Sequence, residues 1–246
     1  KNLRLPCAVV TGSTSGIGLG IARSLAANGF NIVINGFGDV DTIEQEREAL
    51  ATEHSVEVLY HGADMTKPEE IKDLIETTAT TFGGVDVVIN NAGIQVVSPI
   101  EEFPEDAYER IIAINLSSAF YTARYSVPYM KETGYGRLIN IASAHGKVAS
   151  PFKSAYIAAK HGMVGLTKAT AVELGPDGIT SNAICPGYVK TELVEKQIAT
   201  TAIARGITEE EVVSKVMLGN QPTGKFVGVE EIGALTSHLC SDDSRS

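Results

Sequence analysis

The sequence predicts an α/β fold: an open, doubly wound parallel sheet in a single domain spanning residues 1–246. Three observations carry this. Short apolar runs alternate with amphipathic stretches along the chain, a glycine-rich turn (TGSTSGIG, Thr11–Gly18) follows the first apolar run, and one long segment, 188–226, breaks the alternation with helical patterns and no strand. Runs that are apolar throughout, rather than at every second residue, belong to strands covered on both faces. A chain of 246 residues with 43% hydrophobic content can bury such a core without staples.

The elements follow in order. PCAVVTG reads as the first buried strand and GIGLGIARSLAANG as a helix closing at Gly29. NIVING is the second strand and DTIEQEREALATEHS the second helix. VEVLYHGAD, VDVVINNAG, YGRLINIAS and GITSNAICPG supply the remaining strands, with helices expected over Lys67–Phe82, Pro104–Thr133 and Pro151–Leu174. After CPG come two helical patterns, TELVEKQIATTAIARG and TEEEVVSKVM. A helical insertion at the carboxyl end of a strand lies where open α/β sheets bind ligands, so 188–226 reads as a lid. The plainer reading is a fixed packing subdomain.

Composition narrows the function. A net charge of −10 argues against nucleic acid as a main partner, although local cations can still hold a small anion. No apolar run approaches the ~20 residues that span a membrane, and no charged-then-apolar leader opens the sequence given, which begins at Lys1. Cys7, Cys185 and Cys240 are far apart, and Cys7 and Cys185 lie in strand-like runs. They are expected to be buried reduced thiols, with no metal site, in a cytoplasmic protein.

The turn between the first strand and first helix spaces its glycines Gly12-x3-Gly16-x-Gly18. Gly12 suits a turn closed to other residues, while Gly16 and Gly18 allow a dinucleotide to approach the backbone and the helix to pack on the strand. The N–H groups opening that helix would face a pyrophosphate. A plain tight turn is the alternative, but at a first strand–helix junction the spacing favours a Rossmann-type sheet. The 2′-phosphate of NADP normally meets an Arg or Lys here. This loop offers Ser13, Thr14 and Ser15, and the second strand is followed by Asn35-Gly36-Phe37-Gly38-Asp39. With no cation available, and with Asp39 repelling a phosphate if it faces the ribose, NAD is expected. Asp64 is either an acceptor for the adenine amino group or simply a helix N-terminal acid. Small residues in Asn90-Asn91-Ala92-Gly93 would let the cofactor lie across the strand ends.

Ser143 ends a predicted strand, and Tyr156 and Lys160 are spaced i, i+4, which places them on one helix face. A cation beside a phenol favours the phenolate, so Lys160, together with the positive charge of an oxidised nicotinamide, is expected to bring the Tyr156 pKa down toward working pH, as acid/base chemistry requires. Ser143 would hold a substrate oxygen near that phenol. A chance Tyr/Lys pair on a helix is common, but the glycine turn upstream makes chance a poor account.

These motifs, with Asn90-Asn91-Ala92-Gly93, Asn115 and Pro186-Gly187, resemble the short-chain dehydrogenase/reductase family over nearly the whole chain. The resemblance implies that Tyr156 is the acid/base, that Ser143 positions the carbonyl or hydroxyl, and that Lys160 binds the nicotinamide ribose. It implies that the main chain at Asn115 holds a water in a proton relay. It also implies cofactor contacts from Gly12, Thr14, Ser15, Gly16, Ile17, Gly18, Phe37, Asp64, Asn91, Ala92, Gly93, Pro186, Gly187, Val189 and Thr191.

More narrowly, NGFGD, AGIQ, IASAHG and LVEKQI resemble the bacterial D-3-hydroxybutyrate dehydrogenases. That resemblance implies NAD and a grip on the substrate carboxylate by Gln95, His145, Lys153 and Gln197. The plainer reading makes these four surface polar residues. Position 188 is Tyr where that group usually has Trp, which implies a smaller wall beside the nicotinamide. The expected reaction is reversible, NAD-dependent oxidation of (R)-3-hydroxybutyrate to acetoacetate. The alternatives are reduction of another short oxo acid or a ketoacyl thioester, and a non-enzymatic nucleotide sensor. The resemblance further implies a homotetramer and a last, glycine-ended strand that is not in the sequence given, which stops at CSDDSRS.

Overall fold

The structure, a computed structural model, describes residues 4–219 and 221–245, and only the backbone of Leu193. Asn220, within the expected lid, lies outside the described residues. Six parallel strands form one sheet in the order β3-β2-β1-β4-β5-β6. They are β1 (Cys7–Val10), β2 (Asn31–Asn35), β3 (Val58–His61), β4 (Val87–Asn90), β5 (Gly136–Ile141) and β6 (Ile179–Ile184). The order reverses between β1 and β4, and a crevice opens beyond the carboxyl ends of strands at such a point.

Both faces are covered, which is why the strand sequences are apolar throughout. On one face Ala8, Val10, Ile32 and Ile89 pack against Ile21 and Leu25 of α1 (Gly16–Ala27). Ile232 of α9 (Val229–Cys240) completes that layer. On the other, Val9, Val33 and Val88 meet Ile71 and Leu74 of α3 (Pro68–Phe82) and Met130 of α5 (Ser118–Thr133). The second helix, α2 (Val40–His54), opens on Asp39, whose carboxylate accepts from Thr42 N at 2.9 Å and Thr42 Oγ1 at 2.8 Å.

Three expectations need correction. The helix expected over Pro104–Thr133 is α4 (Glu105–Ile112), a π-helical turn at Ala113–Ser117, and then α5. The next helix, α6 (Ser154–Leu174), starts three residues later than the expected Pro151, because Phe152 takes φ +67° and cannot be helical. A left-handed bulky side chain is a strained conformation. Cys185 lies one residue past β6 and is half-buried, whereas Cys7 and Cys240 are buried as expected. Burial pushes both of those thiols up to about 12, so they stay protonated.

The segment 188–226 holds α7 (Glu192–Arg205) and α8 (Glu209–Glu211), which runs into a second π-helical turn, Val212–Met217. It carries its own apolar cluster, in which Ala202, Val212 and Met217 pack with Tyr188, Ile198 and Phe226. No strand of the sheet contributes to that cluster among the described residues. A single parallel bridge, Val189 to Val227, ties the two ends of the segment together. Among the described residues no helix is long and apolar enough to cross a membrane, and no His/Cys/Asp/Glu group could hold a metal ion.

Candidate active site

A cavity of about 930 Å³ runs along the carboxyl edge of the sheet and under α7. With two exceptions it is lined by every residue the sequence singled out for a cofactor or substrate. The exceptions, Gly18 and Asn115, act from beneath. A Cβ on Gly18 would strike the Gly12 carbonyl oxygen, so its role is close packing of α1 on the turn rather than cofactor contact. Gly12 has φ +62°, and a Cβ there would come within 2.8 Å of Ala92 Cα.

The turn is braced from below. Asn35 is fully buried; its Oδ1 accepts from Gly12 N at 3.3 Å, and its Nδ2 donates to the His61 and Ala63 carbonyls at 2.9 and 3.0 Å. Ser13 is also internal, its Oγ donating to the Val10 carbonyl at 2.6 Å. Ser15, at the N-cap of α1, makes no side-chain capping bond, so the first N–H groups of that helix remain available for an anion. A turn with no room for side chains below an uncapped helix N-terminus fits a dinucleotide pyrophosphate.

Asp64 lines the cavity, and its Oδ1 accepts from Thr66 N and Oγ1 at 2.9 and 2.8 Å ahead of α3. Those bonds hold its carboxyl below the usual range. Asp39 faces its own helix cap and is not part of the lining, so it does not act on a ribose phosphate as expected.

At the centre of the cavity stand Ser143, Tyr156 and Lys160. Ser143, just past β5, accepts from His145 N at 3.1 Å, which fixes its Oγ. Lys160 is 3% exposed, and its Nζ donates to the Ile141 carbonyl at 2.6 Å, 5.7 Å from the centroid of the Tyr156 ring. In the protein alone, burial sets the direction of the phenol shift. Burial pushes the Tyr156 phenol up, outweighing the hydrogen bond from Ser143, and the same burial pushes the Lys160 ammonium down to about 8.

The π-helical turn explains Asn115. Its fully buried side chain accepts from Ile94 N and donates to the Ile94 carbonyl, both at 2.9 Å. This two-way clamp holds the loop that carries Gln95 into the cavity. A π-bulge shifts the register of backbone carbonyls, a frequent feature of functional sites.

Four further polar side chains line the same cavity. The Gln95 Nε2 is buried without a hydrogen-bond partner. His145 stands edge-on to Tyr156 and Tyr188, with ring centroids 6.2 and 6.5 Å apart. Burial, then the charges of Lys153 and Arg205, push His145 down to about 4, so it is neutral at pH 7. Lys153 is 3% exposed, has the Tyr188 hydroxyl at 3.4 Å, and is pushed down to about 8 by burial. Gln197 reaches the same space from α7.

The sequence reading missed Arg205, whose guanidinium also lines this cavity. Nothing in its local pattern distinguished it from an ordinary basic residue closing a helix.

A dinucleotide turn whose strand edge also presents a Ser, a Tyr and a Lys defines a nicotinamide-dependent oxidoreductase. The chain belongs to the short chain dehydrogenase family, whose model matches residues 6–202. It is 58% identical over 237 residues to a D-beta-hydroxybutyrate dehydrogenase of Rhizobium meliloti (strain 1021), covering 96% of this chain and 92% of that one. A second D-beta-hydroxybutyrate dehydrogenase, from Cupriavidus necator, is 52% identical over 97% of this chain and 92% of its own length. Among solved structures, an actinorhodin polyketide ketoreductase with NADPH superposes with a TM-score of 0.91 at 31% identity, covering 98% of this chain and 92% of that one.

Proposed function

We propose that this chain catalyses the reversible oxidation of (R)-3-hydroxybutyrate to acetoacetate with NAD. The observation that supports the substrate is that Gln95, His145, Lys153 and Gln197 line the same cavity as Ser143 and Tyr156. A small carboxylate needs charge-assisted donors to leave water, and the unpartnered Gln95 amide and the buried Lys153 ammonium are such donors. A thioester would offer them no anion. The identity to the two named hydroxybutyrate dehydrogenases supports the same reading.

In the oxidation, Ser143 holds the C3 hydroxyl and Tyr156, as phenolate, takes its proton. The chemistry a bound nicotinamide supplies is acceptance of the hydride from C3. Lys160 holds the ribose and stabilises the phenolate while it is charged. The Asn115 main chain, displaced by the π-helical turn, relays the proton outward through water. A survey of hydroxy acids, following NADH absorbance, tests the assignment. Turnover of 3-hydroxybutyrate no better than that of neutral secondary alcohols would reject it.

The case for NAD rests on the adenosine end. Among the described residues, the lining formed by Asn35–Phe37 and Ala63–Met65 contains no Arg or Lys. The expected result is a kcat/KM with NAD far above that with NADP. Comparable values would overturn this.

Segment 188–226 is proposed as a lid. It carries Gln197 on α7 and its own apolar cluster, so it can move as a body and close on the acid. Limited proteolysis around α7 should slow when butyrate, which lacks the reacting hydroxyl, is added to the NAD complex. Unchanged cleavage would favour a fixed subdomain. A homotetramer in the cytoplasm completes the proposal.

A further inference from the structure

Arg205 closes α7, and its Nη2 donates to Ser150 Oγ at 2.9 Å, joining the lid to the loop that precedes α6. Among the described residues no carboxylate pairs with it. The other lid cations at the cavity, Lys196 and Lys215, are tied to Glu192 and Glu211 at 2.5 and 2.6 Å. Lys153 likewise has a hydroxyl, that of Tyr188, rather than an acid beside it. Like charges gathered in one place without an acid repel each other, and an anion placed among them relieves the repulsion. The pressure is visible in this chain, since Arg205 disfavours the charged forms of both Lys153 and His145.

We propose that Arg205 determines specificity at this site in two ways: it adds a second full positive charge toward the substrate carboxylate, and through Ser150 it holds α7 where Gln197 reaches the acid. The inference rests on the carboxylate reading of Lys153 and its neighbours. It also explains why a guanidinium at the end of a surface helix is half-buried and turned inward.

The test compares Arg205→Gln, Arg205→Lys, Ser150→Ala and Lys153→Ala for kcat and KM with 3-hydroxybutyrate, and for the inhibition constant of butyrate. Arg205→Gln should raise both KM and the butyrate inhibition constant about 3- to 30-fold, with kcat within about threefold. Arg205→Lys should recover most of that loss, since it keeps the charge. Ser150→Ala removes only the latch and should lose less than Arg205→Gln. The groups facing Lys153 are Tyr188, His145 and Arg205, so Arg205→Gln should also move the alkaline fall of kcat/KM upward. If Lys153→Ala weakens butyrate and Arg205→Gln leaves it within twofold, the Arg205 inference falls while the carboxylate reading stands. If both variants leave butyrate unchanged, the carboxylate reading falls as well.

Discussion

Replacing Tyr156 with Phe should abolish turnover while leaving NADH binding intact. The substitution removes one hydroxyl at the centre of the cavity and leaves the braced turn at Gly12, the uncapped start of α1 and the Lys160 ammonium in place. A positioned acid/base is worth about 10²–10⁴-fold in rate. His145 is held neutral but turns its edge toward Tyr156, and Ser143 Oγ is tied to the backbone of His145. The phenol is pushed up by burial, so its deprotonated form gains as pH rises. Oxidation by the wild-type chain should therefore quicken with pH until the phenol titrates, and the variant should lose that rise. Residual activity within tenfold of wild type would mean that another group moves the proton. Lys160→Ala should damage both the rate and NADH binding, because one buried ammonium serves both.

Replacing Lys153 with Ala should selectively destroy the preference for the acid. Removing a charged hydrogen-bond donor costs about 1.5–3 kcal/mol, or roughly 10–150-fold in kcat/KM for 3-hydroxybutyrate. A neutral secondary alcohol of similar size should lose far less. Equal losses would make Lys153 a structural lysine and reject the carboxylate site. The wild-type pH profile carries the same signature. Burial pushes the Lys153 ammonium down to about 8, so its charged form is present below that pH and lost above it. Because kcat/KM reports the free enzyme, its value for the acid should fall as pH rises through about 8. That fall should shrink in Lys153→Ala, leaving the part that Lys160 contributes, which burial also pushes down to about 8.

The fold was legible because its strands are buried on both faces, so each apolar run marked one strand. Tyr156 and Lys160 were legible from helical spacing, and the dinucleotide turn from three glycines at a strand–helix junction. The proposed carboxylate grip came only through resemblance, since Gln95, His145, Lys153 and Gln197 lie in separate stretches of chain and share no local pattern. The break at Ala113–Ser117 left no mark because AINLS contains no Gly or Pro to signal it. Its cause is a tertiary bond from Asn115 to Ile94, twenty-one residues away. Phe152 was hidden for a related reason: its left-handed backbone is imposed by context, with its carbonyl accepting from Ser98 N at 3.0 Å. Spacing reports that Lys160 is near Tyr156 but not how deeply the phenol is buried, and in the protein alone burial pushes it up.

The bridge between Val189 and Val227 has an evolutionary reading. A segment whose two ends leave the body side by side is a cassette. Lengthening it, shortening it or exchanging it for another adds little loop-closure entropy, because the ends are already held together. Most of its apolar side chains form a cluster of their own, and Val189 at its root is the residue that joins the core on one face of the sheet. On the proposed reading, proton and hydride chemistry stay on the sheet edge, while recognition of the acid is divided between that edge and the cassette. A scaffold divided in this way can acquire new substrates by changing the 188–226 stretch and a few facing residues, with no need to rebuild the part that performs the reaction.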